Sequence, residues 1–167
     1  MKQIILMRHG LSIGNERKII QGKLDYELSK TGIEELSNEK FTELKNITNI
    51  YSSDLRRAYQ SAEIVSDIIQ HHKPILICES LRENGAGILE GKTKEYCSRE
   101  FSEYYQTYLK RGDYDNIPGA EKWIENQARV LIMLSQYINK NDFNDLMVSH
   151  AAFIRTFVNM VKLRDRN

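Results

Sequence analysis

Near the start of the chain an apolar run, Ile4-Ile5-Leu6-Met7, ends in Arg8-His9-Gly10. Such a run reads as a buried strand flanked by helices, and open α/β sheets bind their ligands at the C-terminal rim of such strands. A histidine beside a fixed cation is placed there to attack an electron-poor centre such as phosphorus, because imidazole stays largely neutral and nucleophilic near pH 7. Gly10 would let the backbone turn sharply and approach a ligand closely. Taken alone, the tripeptide reads equally as a strand end with a solvated arginine and a surface histidine.

Three further places carry residues fit for the same chemistry. Ser52-Ser53-Asp54 opens a helix whose Leu55, Ala58, Ala62, Val65 and Ile69 share one face. Arg56 and Arg57 fall in its first turn, where the helix dipole disfavours cations by a few tenths to about 1 kcal/mol. An anion bound at that end would reverse the penalty; otherwise both arginines face solvent, and one of them is expected to. The loop Leu81–Gly91 holds Glu83 and Glu90 among three glycines, and a glutamate here is a candidate proton donor. A second apolar stretch, Asp145–Ser149, is followed by His150, and the helix opening at Ala151 presents the unpaired N–H groups of its first turn to an anion. Between the first strand and the next helix, residues 11–28 show no clear period. Asn15 and Gln21-Gly22 in that long loop are possible ligand contacts, with plain loop hydrogen bonding as the alternative.

The elements that must position these residues follow from apolar spacing. Ser29 caps a helix running to about Leu44, with Ile33, Leu36, Phe41 and Leu44 on its apolar face. Ile47–Tyr51 and Pro74–Cys78 read as strands. Residues 93–111 read as a helix with a flank of Tyr96, Tyr104, Tyr105, Tyr108 and Leu109. Pro118-Gly119 breaks the chain before a helix from Lys122 to Asn139 that is expected to bury Ile124, Ala128, Leu131, Leu134 and Ile138. Strands alternating with helices imply an α/β three-layer sandwich, a mostly parallel central sheet flanked by helices. With 167 residues the chain fits one domain. Its formal net charge of +1 gives no global pull toward nucleic acid or acidic membranes. Cys78 and Cys97 make neither a disulfide framework nor a metal-site spacing, which suits a reducing, cytoplasmic setting. No apolar stretch approaches membrane-spanning length.

In sequence order these pieces resemble the histidine phosphatase superfamily, also called phosphoglycerate mutase-like. The resemblance rests on Arg8-His9-Gly10 with Asn15, on Gln21-Gly22 before Leu28-Ser29-Lys30-Thr31-Gly32, and on Ser52-Ser53-Asp54-Leu55-Arg56-Arg57-Ala58. It continues through Leu81-Arg82-Glu83, Gly87, Glu90-Gly91, Pro118-Gly119 with Glu121, and Val148-Ser149-His150. It implies a phosphoglycerate mutase-like fold over residues 1–167, with about 93–139 as a cap-like helical insertion. It further implies His9 as the nucleophile that becomes a phosphohistidine and Glu83 as the proton donor. Arg8, Arg57 and His150 would surround the phosphate, with Asn15, Gln21, Gly22 and the N–H of Ala151 adding contacts. The implied activity is a phosphatase that needs no metal or other cofactor, acting on a small phosphate ester as a monomer or homodimer.

Departures from the family pattern bear on substrate. A serine after Glu121 is replaced by Lys122, which is expected to favour a second anionic group on the substrate. The glycine after the second histidine is Ala151, and the Arg and Tyr that mutases carry after Glu83 are Asn84 and Ala86. Lys94 falls where mutases have a substrate-binding lysine. The chain stops 17 residues after His150, where family members continue into another strand. A phosphoglycerate mutase is therefore the less favoured alternative, and a noncatalytic phosphate-binding scaffold is disfavoured by His9 and Glu83.

Overall fold

The fold was analysed in a computed structural model that describes residues 2–110, 114–137 and 141–164. Strands β1 (Lys2–Arg8), β2 (Asn49–Ser52), β3 (Leu76–Ile77) and β4 (Phe143–Ser149) pair in the order β1-β4-β2-β3, every pair parallel. Side chains alternate across the sheet as a pleat requires. Ile5, Met7, Ile50, Leu146 and Val148 face one layer, built on Ala58, Ala62 and Val65 of α3 (Arg56–Ile68). Ile4, Leu6 and Met147 face the other, built on Val130 and Met133 of α6 (Trp123–Ser135) and Phe153 and Phe157 of α7 (Ala151–Arg164). The result is the expected three-layer sandwich.

The connections matter more than the layers. The chain leaving β1 passes through a single-turn helix, α1 (Ile13–Glu16), to α2 (Lys30–Asn38), which packs beside α3. The chain leaving adjacent β4 enters α7 on the opposite face. Neighbouring strands whose connections depart to opposite faces leave a crevice between their C-terminal ends. His9 and His150 stand on its two lips.

A third apolar cluster lies outside the sandwich. Cys97 of α4 (Lys94–Glu100), Tyr105 of α5 (Ser102–Leu109) and Tyr114 and Ile117 beyond it form the cluster with Ile20, from the stretch between α1 and α2, and Leu89, from the turn before α4. This stacked tyrosine-rich unit covers the crevice.

Several local expectations differ from what forms. The helix from Ser29 ends at Asn38, and Phe41 and Leu44 reach the core from a turn instead. Only Leu76–Ile77 of the third apolar stretch pairs, and it does so as an exposed edge. Residues 93–111 split at Phe101, whose φ of −132° and ψ of 39° interrupt the helix; Arg111 lies outside the described residues. In α6 the buried stripe is Asn126, Val130 and Met133, while Ile124 and Leu131 are 69% and 56% exposed. Ile138 and Asn139 lie outside the described residues. Helix α6 packs into the sandwich core, while α4 and α5 belong to the separate cluster.

Candidate active site

Strand register builds the centre of the site. β1 and β4 run in phase to their last pair, Arg8 opposite Ser149, and the His9 N–H donates to the Ser149 carbonyl at 3.0 Å. The next residue on each strand is a histidine, so two imidazoles are forced side by side, with ring centroids 5.1 Å apart. His9 Nδ1 lies 2.7 Å from the Gly10 carbonyl. A carbonyl only accepts, so Nδ1 carries the proton and the lone pair sits on Nε2. Burial, then the charges of Arg57 and Arg8, hold the His9 pKa down at about 3, which keeps the ring neutral. His150 is fully buried and neither ring nitrogen has a hydrogen-bond partner among the described residues. Burial and the Arg57 charge push its pKa well down too. Orphaned buried polar atoms cost free energy, and a pair of them beside a cavity is the mark of a ligand site.

The two arginines at the start of α3 part company. Arg56 is exposed and pairs with Asp25 at 3.1 Å and Glu27 at 3.6 Å. Arg57 is 1% exposed. Its Nη1 and Nη2 donate to the Leu24 and Gly22 carbonyls at 2.7 and 2.9 Å, while Nε has no partner among the described residues. The buried guanidinium thus pins the loop and keeps an unused donor. Gly22 itself has φ +49°, which strains any larger residue, and a Cβ there would also displace the Glu90 side chain, whose Oε1 would lie 1.9 Å away.

Asn15 and Gln21 are turned by one hydroxyl. Ser12 Oγ lies 2.9 Å from Asn15 Oδ1 and 2.8 Å from Gln21 Oε1. With both amide oxygens drawn to Ser12, the NH₂ ends are those left for a ligand. A lone hydroxyl proton cannot serve both oxygens at once. The Ser12 N–H, 3.2 Å from Asn15 Oδ1, holds that side chain as well.

Glu83 is held just as firmly. Its Oε1 accepts from the Asn84 N–H and from the Ala152 N–H in the first turn of α7, both at 3.0 Å. The stretch around it is tied down by Arg129, which donates to the Ser80 and Arg82 carbonyls at 2.8 Å and to Glu121 Oε1 at 2.7 Å. Glu121 in turn accepts from the Gly85 N–H, and Arg82 forms a two-point pair with Asp54, between β2 and α3. Helix α6, the β2–α3 connection and α7 therefore all brace the stretch that carries this carboxylate.

These groups enclose a hollow of about 120 Å³. Arg8, His9, Arg57 and Glu83 line it, and so do Asn15, Gln21, Gly22, Lys94 and Ala151. His150, its ring centroid 5.1 Å from that of His9, is buried beside it and does not itself line the hollow. Lys122 does not line the hollow either: it stands at the start of α6 with Nζ donating to the Asp115 carbonyl. A side chain at a helix entry follows the path of the preceding loop, and the sequence does not reveal that path. The far wall holds residues the sequence reading did not single out as site residues, namely Tyr108, Tyr114 and Arg155. Arg155 was detectable in principle, since it falls four residues after Ala151 and so on the same face of α7. Arg129 gave no local signal, because its partners come from three separate segments.

Comparison with known proteins agrees with this geometry. The profile of the histidine phosphatase superfamily (branch 1) matches residues 4–164. A Hydrogenobacter thermophilus protein named for phosphoserine phosphatase activity is 31% identical over 160 residues, covering 95% of this chain and 77% of that protein. Phosphoglycerate mutase-like protein 4 of Arabidopsis thaliana is 28% identical, covering 92% of this chain and 68% of that one. A mycobacterial glucosyl-3-phosphoglycerate phosphatase shares the fold, with a TM-score of 0.84 at 23% identity over 96% of this chain and 82% of the other. The chain belongs to the histidine phosphatase superfamily, and it is a phosphomonoesterase of the histidine phosphatase type.

Proposed function

We propose that the protein hydrolyses a small phosphorylated metabolite through a phosphohistidine on His9, without a metal ion. The single observation that carries this reading is the neutral imidazole of His9, its proton fixed on Nδ1 by Gly10, beside an unpartnered His150 and an unused Arg57 donor. Nε2 attacks phosphorus in line with the ester oxygen; the P–N bond forms as the P–O bond breaks. Glu83 delivers its proton to the departing oxygen. Oε1 is held by two N–H groups, which leaves Oε2 to carry that proton. In the second half water attacks phosphorus and gives its proton to the Glu83 carboxylate. The P–N pair returns to Nε2, and inorganic phosphate leaves.

Positive charge and donors for the equatorial oxygens come from Arg8, Arg57, the amides of Asn15 and Gln21, and the start of α7. Charge-assisted hydrogen bonds contribute about 1.5–3 kcal/mol each, so a handful suffices to hold a dianion. Phosphate monoesters are among the slowest molecules to hydrolyse, with enzymatic accelerations reaching about 10²¹, whereas acid help supplies roughly 10²–10⁴. The fixed charges and the covalent step must supply most of the remainder. By size, about 120 Å³ of solvent space holds on the order of ten water-sized positions, which fits a short ester.

Mutase chemistry shares the first half-reaction and differs in the acceptor. Asn84, held by Arg129 at 3.3 Å, and Ala86 both line the hollow but carry no charge, so the positions after Glu83 offer phosphoglycerate no cation. The test is turnover of a panel of phosphorylated metabolites in chelator-containing buffer, following inorganic phosphate and isomerised ester separately. Phosphate release without isomerisation is expected. Isomerisation of 3-phosphoglycerate primed by a bisphosphate would establish the mutase, and failure to turn over any ester would leave a binding protein.

A further inference from the structure

Arg155 stands apart from the other arginines that are not fully exposed. Arg57 is held by two carbonyls, Arg82 by Asp54, and Arg129 by Glu121 and two carbonyls. Arg155 is half-buried, yet it has no ion pair and no hydrogen bond among the described residues. It lines both the main hollow and a small recess that opens beside it next to Asn84, Trp123 and Asn159. The guanidinium opens onto the hollow with its planar fork unfilled, and such a fork matches a planar anion in two contacts.

Its position relative to the phosphate end is set by α7. Ala151 opens the helix behind His150, and Arg155 follows one turn later on the same face, about 6 Å along the axis at 1.5 Å per residue. Arg57 and Arg8 are the cations that bear on His9. Arg155 lines the same hollow together with Tyr108 and Tyr114, whose rings stack with centroids 5.4 Å apart. Burial pushes the Tyr108 phenol up, so this wall stays neutral. It offers flat apolar surface to a short carbon skeleton and leaves the arginines to bind charge. Lys94, exposed at the rim of the hollow, adds a looser cation.

We propose that Arg155 forms a second anion subsite, which selects phosphomonoesters whose alcohol carries a carboxylate a few bonds from the ester oxygen. This deepens the phosphatase reading and rests on it for the phosphate end. It also moves the selection for a second anion from Lys122, which does not line the hollow, to a residue that does. A carboxylate matches the planar fork in two contacts, and the short span leaves little room for a second phosphoryl group.

The test compares 3-phosphoglycerate with glycerol 3-phosphate, which share a skeleton and differ in carboxylate against hydroxymethyl, with propane-1,3-diol bisphosphate as a third arm. The wild type is expected to prefer the carboxylate ester by at least about tenfold in kcat/KM, as one charge-assisted contact allows. In Arg155→Met that ratio collapses toward one, chiefly through KM. Arg155→Lys restores part of it, and Lys94→Ala lowers it less. Equal losses on both esters in Arg155→Met would reveal a merely structural role, and a wild type that favours the bisphosphate or neither ester would overturn the proposal. The same ratio is read as binding by calorimetry in His9→Ala and His9→Ala/Arg155→Met. Selective binding without turnover would uphold the subsite while sinking the phosphatase reading; turnover without selectivity would do the reverse.

Discussion

The two ends of the hollow are built by different means. At the phosphate end every side chain except Arg8 and His150 is fixed before a ligand arrives: His9 by Gly10, Arg57 by two carbonyls, Asn15 and Gln21 by Ser12, Glu83 by two backbone N–H groups. At the distal end the Arg155 and Lys94 side chains are held by no hydrogen bond or ion pair among the described residues, and the wall is stacked tyrosine. Chemistry needs reacting atoms placed to within a fraction of an ångström, and strand register supplies that. Recognition needs only a cation on a helix one turn away. The first end therefore tolerates little change, while the second is free to vary between substrates.

That contrast can be broken first at Glu83. Glu83→Gln should lower kcat for alkyl phosphates by roughly 10²–10⁴, and much less for nitrophenyl phosphate, whose leaving group departs without a proton. Equal losses would remove Glu83 as the acid and leave it as a brace for α7. Arg129 asks whether rigidity at the phosphate end is imported from α6. Its ion pair with Glu121 leaves the side chains only 17% and 5% exposed, and breaking one partner of such a pair typically costs about 3–5 kcal/mol. Arg129→Met should therefore lower the unfolding midpoint in denaturant and cut kcat for every ester alike, unlike Arg155→Met, which changes the ratio between esters.

Protonation sharpens the same comparison. The folded pKa of His9, about 3, lies below its ordinary 6.5, and that of His150 is shifted the same way. Between those values the unfolded chain binds protons that the folded chain refuses, so stability falls as pH drops from about 6.5 toward about 3 and is flat for these groups above. Thermal unfolding of the ligand-free protein should show this fall, with a shallower slope in His9→Ala. An unchanged slope would mean that His9 is not held neutral. The smallest effect belongs to Lys122: Lys122→Ser should change the preference for 3-phosphoglycerate over glycerol 3-phosphate by less than about twofold, as expected for a surface charge outside the hollow. A larger change would return the selectivity to the start of α6.

Much of the phosphate end was legible in the sequence because it hangs on strand ends and helix starts. Arg8-His9-Gly10, His150 and the Arg56-Arg57 pair can be found from local pattern, and the topology then brings them together. That one of Arg56 and Arg57 faces solvent is legible locally, but only the family resemblance picks Arg57 as the inward one, since its burial depends on the Gly22 and Leu24 carbonyls arriving from a distant loop. The buried stripe of α6 was misjudged because the helix carries two apolar stripes. The Asn126 bond to Thr156 at 2.7 Å and the Arg129 network decide which one turns inward. Lys122 and Arg155 make a related case: both are cations in the first turns of a helix, and only the packing of that helix says that Arg155 and not Lys122 lines the hollow.

The central claim is that His9 Nε2 takes the phosphoryl group. Turnover quenched within its first cycles, followed by mass spectrometry of peptides kept at alkaline pH, tests it directly. The account predicts an acid-labile phosphoryl group on the peptide holding His9, formed and lost at the rate of turnover and missing from a folded His9→Ala protein that releases no phosphate. Phosphate release by His9→Ala at a normal rate, or a phosphoryl group trapped on any other residue, would contradict it.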